Sequence, residues 1–207
     1  MTEPIIFYTN PMSRGQIARW ALEEAGVEYE QRLLDYGTTM KGPEYLAVNP
    51  MGKVPAIVHN GHVVTECAAI CAYLADAFPA AKLAPEPDAR ADYYRWMFFG
   101  AGPLETAVTN NYLKWVPDEE QQRMVGYGSF EHVLDALEAA VAGKAFIAGE
   151  RFSAADIYVG AQIDWGLQFG TIPTRPAFED YIGPLRERGA YKKAKAIDGA
   201  LMAEMQK

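Results

Sequence analysis

Apolar residues run together at Ile5, Ile6, Phe7 and Tyr8, a β-favouring stretch over Ile5–Thr9. From Ile17 the spacing becomes helical, with Ile17, Trp20, Ala21 and Ala25 on one face and Gly26 as the stop. Residues 27–34 return to an extended pattern. The three segments predict a β-α-β unit, which requires two parallel strands and a right-handed crossover. A short helix is expected at 43–47. Residues 54–58 and 62–65 then flank Asn60-Gly61, the strongest short-range hairpin signal. The Ala-rich segment 66–78 places Ala69, Ile70, Tyr73 and Leu74 on adjoining helical faces and stops before Pro79.

The predicted order β-α-β-α-β-β-α is an α/β, thioredoxin-like arrangement over residues 1–80, with helices on both faces of one mixed sheet. Three prolines within residues 79–87 mark a linker, taken as 81–87. Beyond it, residues 88–207 read as an all-α domain. Helices are expected at about 90–112, at 118–141 closed by Gly143, and from Ser153 to about Gln168, with two shorter ones after Pro176 and Tyr191. Gly102-Pro103 should disturb the first of these.

Composition changes this picture little. Half of the 207 residues are hydrophobic and 22% are charged, as in an ordinary well-cored protein. The start shows no basic leader, and no apolar stretch approaches the roughly 20 residues of a membrane span. A soluble, cytoplasmic protein with no membrane partner is the expectation. A net charge of -8 and the lack of a basic, aromatic-laced stripe argue against nucleic acid as a partner. Cys67 and Cys71 have neither the spacing of a redox pair nor enough company for a metal site, and Cys71 reads as a small core residue. His59 and His62 flank the hairpin and read as surface-loop residues. No metal is expected.

Three stretches carry chemistry. In 49–55, a proline opens a strand at Val54-Pro55, where a cis bond would turn the Val54 main chain outward to pair with a bound peptide; a rigid structural turn is the competing reading. In 65–70, Glu66 and Cys67 fall at the first turn of a helix, where main-chain N–H groups favour a carboxylate and an adjacent acid accepts from an ammonium. The competing reading makes Thr65 a cap and Glu66 a dipole partner. In 146–157, Ser153 and Asp156 have capping-box spacing and are read as structural.

With the linker and the helical second half, these stretches resemble the soluble glutathione transferase family over essentially the full chain, with a bacterial-like character. The resemblance implies glutathione as co-substrate, without a metal, and conjugation of its thiolate to an electrophilic, apolar acceptor in a detoxifying homodimer. It implies that Val54, beside Pro55, pairs with the cysteinyl backbone, that Glu66 and Cys67 hold the γ-glutamyl end, and that Lys41 and Lys53 meet the glycyl carboxylate. Cys67 departs from the Ser most members carry, and its thiol is a weaker donor.

In that family a Tyr, Ser or Cys between the first strand and first helix stabilises the thiolate. Here the window 8–16 offers Ser13, followed at capping-box spacing by Gln16, with Tyr8 and then Asn10 as alternatives. The acceptor pocket is expected beside Phe99, Gly102 and Thr106. Two alternatives remain: a glutathione-dependent disulfide or peroxide reductase, against which the lack of a Cys in that window argues, and a non-catalytic glutathione-binding or interaction module.

Overall fold

The computed structural model describes residues 4–205, which form two compact units. The first runs to Leu83 and resumes at Arg188; the second is Ala84–Glu187. The last helix thus groups with the first unit, whereas the sequence pattern had assigned it to the helical domain.

In the first unit, β1 (Ile5–Thr9), β2 (Tyr29–Leu33), β3 (Ala56–His59) and β4 (His62–Thr65) form one sheet in the order β2-β1-β3-β4. β1 and β2 are parallel, while β3 is antiparallel to both β1 and β4. Asn60 and Gly61 both take positive φ, 51° and 76°, and close the β3–β4 hairpin as expected of that dipeptide.

Alternation along β1 sorts its side chains between the two faces. Phe7 is buried under the Arg19 guanidinium of α1 (Gly15–Ala25), and Tyr8 points the other way, onto Tyr45 of α2 (Pro43–Leu46). α1 ends where Gly26 adopts φ 66°, a left-handed cap that costs glycine nothing. α3 (Cys67–Ala77) stops ahead of Pro79, and Cys71 is fully buried within it.

α9 (Gly189–Met205) packs on α1. It starts before Tyr191 and is a full-length helix rather than a short one. Arg19 of α1, wholly buried, donates through Nε to Asp198 of α9 at 2.9 Å and through its other nitrogens to Tyr29 and Gln31 of β2.

In the second unit the expected helix over 90–112 is broken into α4 (Ala91–Phe99) and α5 (Glu105–Tyr112) by a π-helical turn at Gly100–Leu104. Pro103 has no N–H to give the ladder, which accounts for the interruption. The helix expected over 118–141 is shorter: α6 spans Phe130–Val141. Upstream, the Asp118 carboxylate accepts from the Glu120 and Gln121 N–H groups and holds a turn instead. Gly128 at φ 66° and Ser129 as N-cap then set the later start.

α7 (Ala154–Phe169) opens on the predicted capping box. The buried Asp156 carboxylate accepts from Ser153 N–H and hydroxyl, from Ile147 N–H and from Tyr181 of α8 (Pro176–Arg186). Of the aromatic run, Tyr93 and Trp96 are buried and Tyr94, Phe98, Tyr112 and Trp115 are exposed.

Candidate glutathione site

The loop before β3 is built from within. Asn49, nearly buried, donates to the Lys53 carbonyl at 2.8 Å and accepts from Met51 N–H. Tyr45 donates to the same carbonyl at 2.5 Å. Burial pushes its phenol up to about 12, with Asn49 pulling the other way. This frame delivers a cis Val54-Pro55 bond, as the sequence led us to expect. The β3 ladders begin at Ala56, so the Val54 main chain contributes no rung to the sheet.

Glu66 is the exposed N-cap residue of α3, held at φ 63°, ψ 117°. This backbone region disfavours a residue with a Cβ and costs on the order of 1–3 kcal/mol. Cys67 follows, 7% exposed, with its thiol donating to the Arg14 carbonyl at 3.5 Å. The contact ties the start of α3 to the start of α1. Two helix N-termini therefore meet in one place. In α1 the first-turn N–H groups are taken up locally, Gly15 by the Ser13 hydroxyl, Gln16 by the Ser13 carbonyl and Ile17 by the Arg14 carbonyl, while the α3 ladder begins with Ile70 N–H donating to the Glu66 carbonyl.

At the α1 terminus, Ser13 is 8% exposed. Its hydroxyl donates to the Asn10 carbonyl at 2.6 Å and accepts from Gly15 N–H at 2.9 Å. The box with Gln16 does not form: the Gln16 amide donates to Pro11 O and accepts from Lys195. Asn10 is committed to the scaffold, donating to the Leu34 carbonyl and accepting from Met12 N–H. Tyr8 sits on the α2 face among Met40, Tyr45 and Ala56.

Lys41 donates to the carbonyls of Gly52 at 2.7 Å and Met51 at 3.3 Å, which makes it a clamp on the loop before Val54. Lys53 is exposed, and no partner for its ammonium occurs among the described residues.

An N-terminal glutathione S-transferase domain model matches residues 3–76, and a C-terminal glutathione S-transferase domain model matches residues 105–165. A maleylacetoacetate isomerase from Pseudomonas aeruginosa is 32% identical over 73% of this chain and 76% of its own length. The chain belongs to the glutathione S-transferase family. A sphingomonad glutathione S-transferase solved as a glutathione complex is 30% identical, covering 94% of this chain and 98% of that one, with a TM-score of 0.75. Protein LigF from a Sphingobium strain is 40% identical over 47% of this chain. The chain spans between a third and a half of the length of several curated relatives it matches.

Phe99 closes α4, Gly102 lies in the π turn and Thr106 is exposed on α5. A Cβ at Gly102 would meet nothing within 4 Å. His62 is exposed, but His59 is buried, not a loop residue: its ring bonds the Tyr73 hydroxyl at 2.9 Å and packs beside Phe78. Among the described residues no cluster of His, Cys, Asp or Glu is placed to hold a metal ion, and no helix is long and apolar enough to cross a membrane. Sequence reasoning missed Asn49, Tyr45 and Arg19. Asn49 alone carried a local signal, as an Asx residue ahead of a turn.

Proposed function

We propose that this family member is a glutathione transferase that conjugates the glutathione thiolate to an electrophilic, apolar acceptor. The meeting of the α1 and α3 N-termini, tied by Cys67 and Arg14, with Ala56 paired to Thr65 one residue before Glu66, is the observation that carries the reading. Glutathione has a zwitterionic end, a peptide backbone and a thiol. Glu66 accepts from its α-ammonium, the α3 N–H groups receive its α-carboxylate, and Val54 pairs with its cysteinyl backbone. Lys53 meets the glycyl carboxylate; Lys41 serves by shaping the loop and retains donor capacity toward the same group.

Ser13 turns its proton from the Asn10 carbonyl to the sulfur, while Gly15 N–H continues to donate to its oxygen and the α1 terminus favours the anion. With the thiol proton lost to solvent, the sulfur pair forms the new bond to the acceptor carbon, whose leaving group departs with its own pair. Phe99, Gly102 and Thr106 line the acceptor site. Family resemblance supports a homodimer in the cytoplasm. The match to the isomerase supports a second reading, action on maleylacetoacetate.

The test is calorimetric titration with glutathione, followed by turnover of an aromatic halide, a mixed glutathione disulfide and maleylacetoacetate. Millimolar-or-tighter binding with halide turnover that falls in Ser13→Ala supports the transferase. No binding at millimolar glutathione, or turnover of the disulfide alone, overturns it.

A further inference from the structure

Ser13 has one proton, and the fold already uses it: the 2.6 Å bond to Asn10 must break before the hydroxyl can serve a sulfur atom. A second hydroxyl stands beside it. Leu34 N–H donates to the Thr9 carbonyl at 2.9 Å and Asn10 donates to the Leu34 carbonyl at 2.8 Å, so the exit of β2 is bound to the exit of β1. The turn that follows is closed on itself: Asp35 N–H donates to the Thr39 hydroxyl, and the Asp35 carbonyl accepts from Met40 N–H. Together these bonds bring Tyr36 over the start of α1, where its hydroxyl donates to the Met12 carbonyl at 3.0 Å, one residue before Ser13.

We infer that Tyr36 is a second catalytic hydroxyl of this site, donating a hydrogen bond to the glutathione sulfur beside Ser13. The inference rests on the transferase reading. Three features support it. A phenol, with an ordinary pKa near 10, is the more acidic hydroxyl and the stronger donor to an anion. Tyr36 is 50% exposed and Met12 55%, so water can take over the Met12 carbonyl when the phenol turns away. Burial raises the Tyr36 phenol, while the Ser13 hydroxyl and the Arg14 charge pull it back, as fits a hydroxyl held one residue from Ser13. None of this is visible in the strand-to-helix window, because Tyr36 arrives from the far end of β2.

The experiment follows the thiolate absorbance of glutathione bound to the full chain from about pH 5 to about pH 9, together with the pH profile of kcat/KM. Tyr36→Phe should raise the bound thiol pKa by about one unit, leaving ~10-fold less thiolate on the acid side. The kcat/KM profile should move by the same amount, with glutathione KM changed less than about twofold. A thiol pKa and profile that stay in place in Tyr36→Phe while Ser13→Ala moves them would overturn the inference and leave the transferase reading standing. Wild-type protein that binds no glutathione would remove the reading itself.

Discussion

Replacing Asp156 by Ala should destabilise the helical unit more than any other single change around the capping box. Its carboxylate accepts four hydrogen bonds at 2.7 to 3.0 Å, and Ile147, Ser153 and Tyr181 are each at most 2% exposed. The Tyr181 and Ser153 hydroxyls can rotate toward other acceptors, but the Ile147 and Ser153 N–H groups cannot. Two orphaned buried donors at about 1–3 kcal/mol each put the loss near 4 kcal/mol. Asp156→Asn keeps one oxygen and presents its amide to a donor on the other side, for a loss of about 1–3 kcal/mol. Ser153→Ala removes one partner and a cap residue, about 1 kcal/mol.

Urea unfolding followed by Trp fluorescence measures these losses, since three of the four Trp residues lie within Ala84–Glu187. Acid adds a second readout. Burial holds the Asp156 carboxyl above its ordinary 3.8 against the pull of its donors, so the folded protein binds this proton more tightly than the unfolded chain. That contribution is complete below the unfolded pKa and is lost as pH rises through the folded one; Asp156→Asn should abolish the slope. Asp156→Ala within about 1 kcal/mol of wild type, or Ser153→Ala costing as much as Asp156→Ala, would refute the reasoning.

Other expectations are as specific. Gly166→Ala places a Cβ 2.4 Å from Ile172 Cγ1 and 2.6 Å from its Cβ, and should cost about 1–3 kcal/mol, with Ile172→Ala in the same chain recovering part of it; additive losses in denaturation would contradict the clash. Glu66→Gly relieves the φ 63° backbone and should raise stability by about 1 kcal/mol while weakening glutathione binding; a variant that gains stability and keeps full affinity would remove Glu66 from the site. In ultraviolet titration, Tyr29 and Tyr45 should ionise at about 12, both raised chiefly by burial. Their folded pKa values exceed the ordinary 10, so their contribution to stability declines from about pH 10 to about pH 12, and a full phenolic titration near 10 with the fold intact would contradict this.

What could be read from the sequence was what local chemistry encodes. Asn60-Gly61 allows few structures other than a tight hairpin, Gly26 few other than a helix stop, and Ser153 with Asp156 carries its own partner three residues on. Local signals also misled where two competed. The segment from Asp118 has helical composition, yet its carboxylate satisfies the N–H groups two and three residues on and stabilises a turn. The cis Val54-Pro55 bond and the helix start at Glu66 were legible because main-chain geometry defines those positions. Lys41 was read as an ammonium for the glycyl carboxylate, whereas it is engaged with the Met51 and Gly52 carbonyls, which no spacing rule reports. Tyr36 and Arg19 were missed for a common reason: each acts on residues brought near by the sheet, not by the chain.

Arg19 shows how far that dependence reaches. Its guanidinium bonds β2 through Tyr29 and Gln31 and bonds α9 through Asp198, while Lys195 of the same helix reaches Gln16 in the first turn of α1 at 3.1 Å. The relative placement of α1 and β2, which sets Ser13 against Tyr36, is thus fixed by a helix at the other end of the chain. Burial pushes the Asp198 carboxyl up and Arg19 pulls it back, so desolvation cancels much of the attraction. Such a pair gives register more than net stability. Asp198→Ala should cost about 3–5 kcal/mol, because it strands a buried guanidinium, whereas Arg19→Met with Asp198→Leu should cost much less. In the double variant stability returns but the tie between β2, α1 and α9 does not, so turnover should stay depressed. A double variant with wild-type turnover would mean that this network holds the fold together without positioning the site.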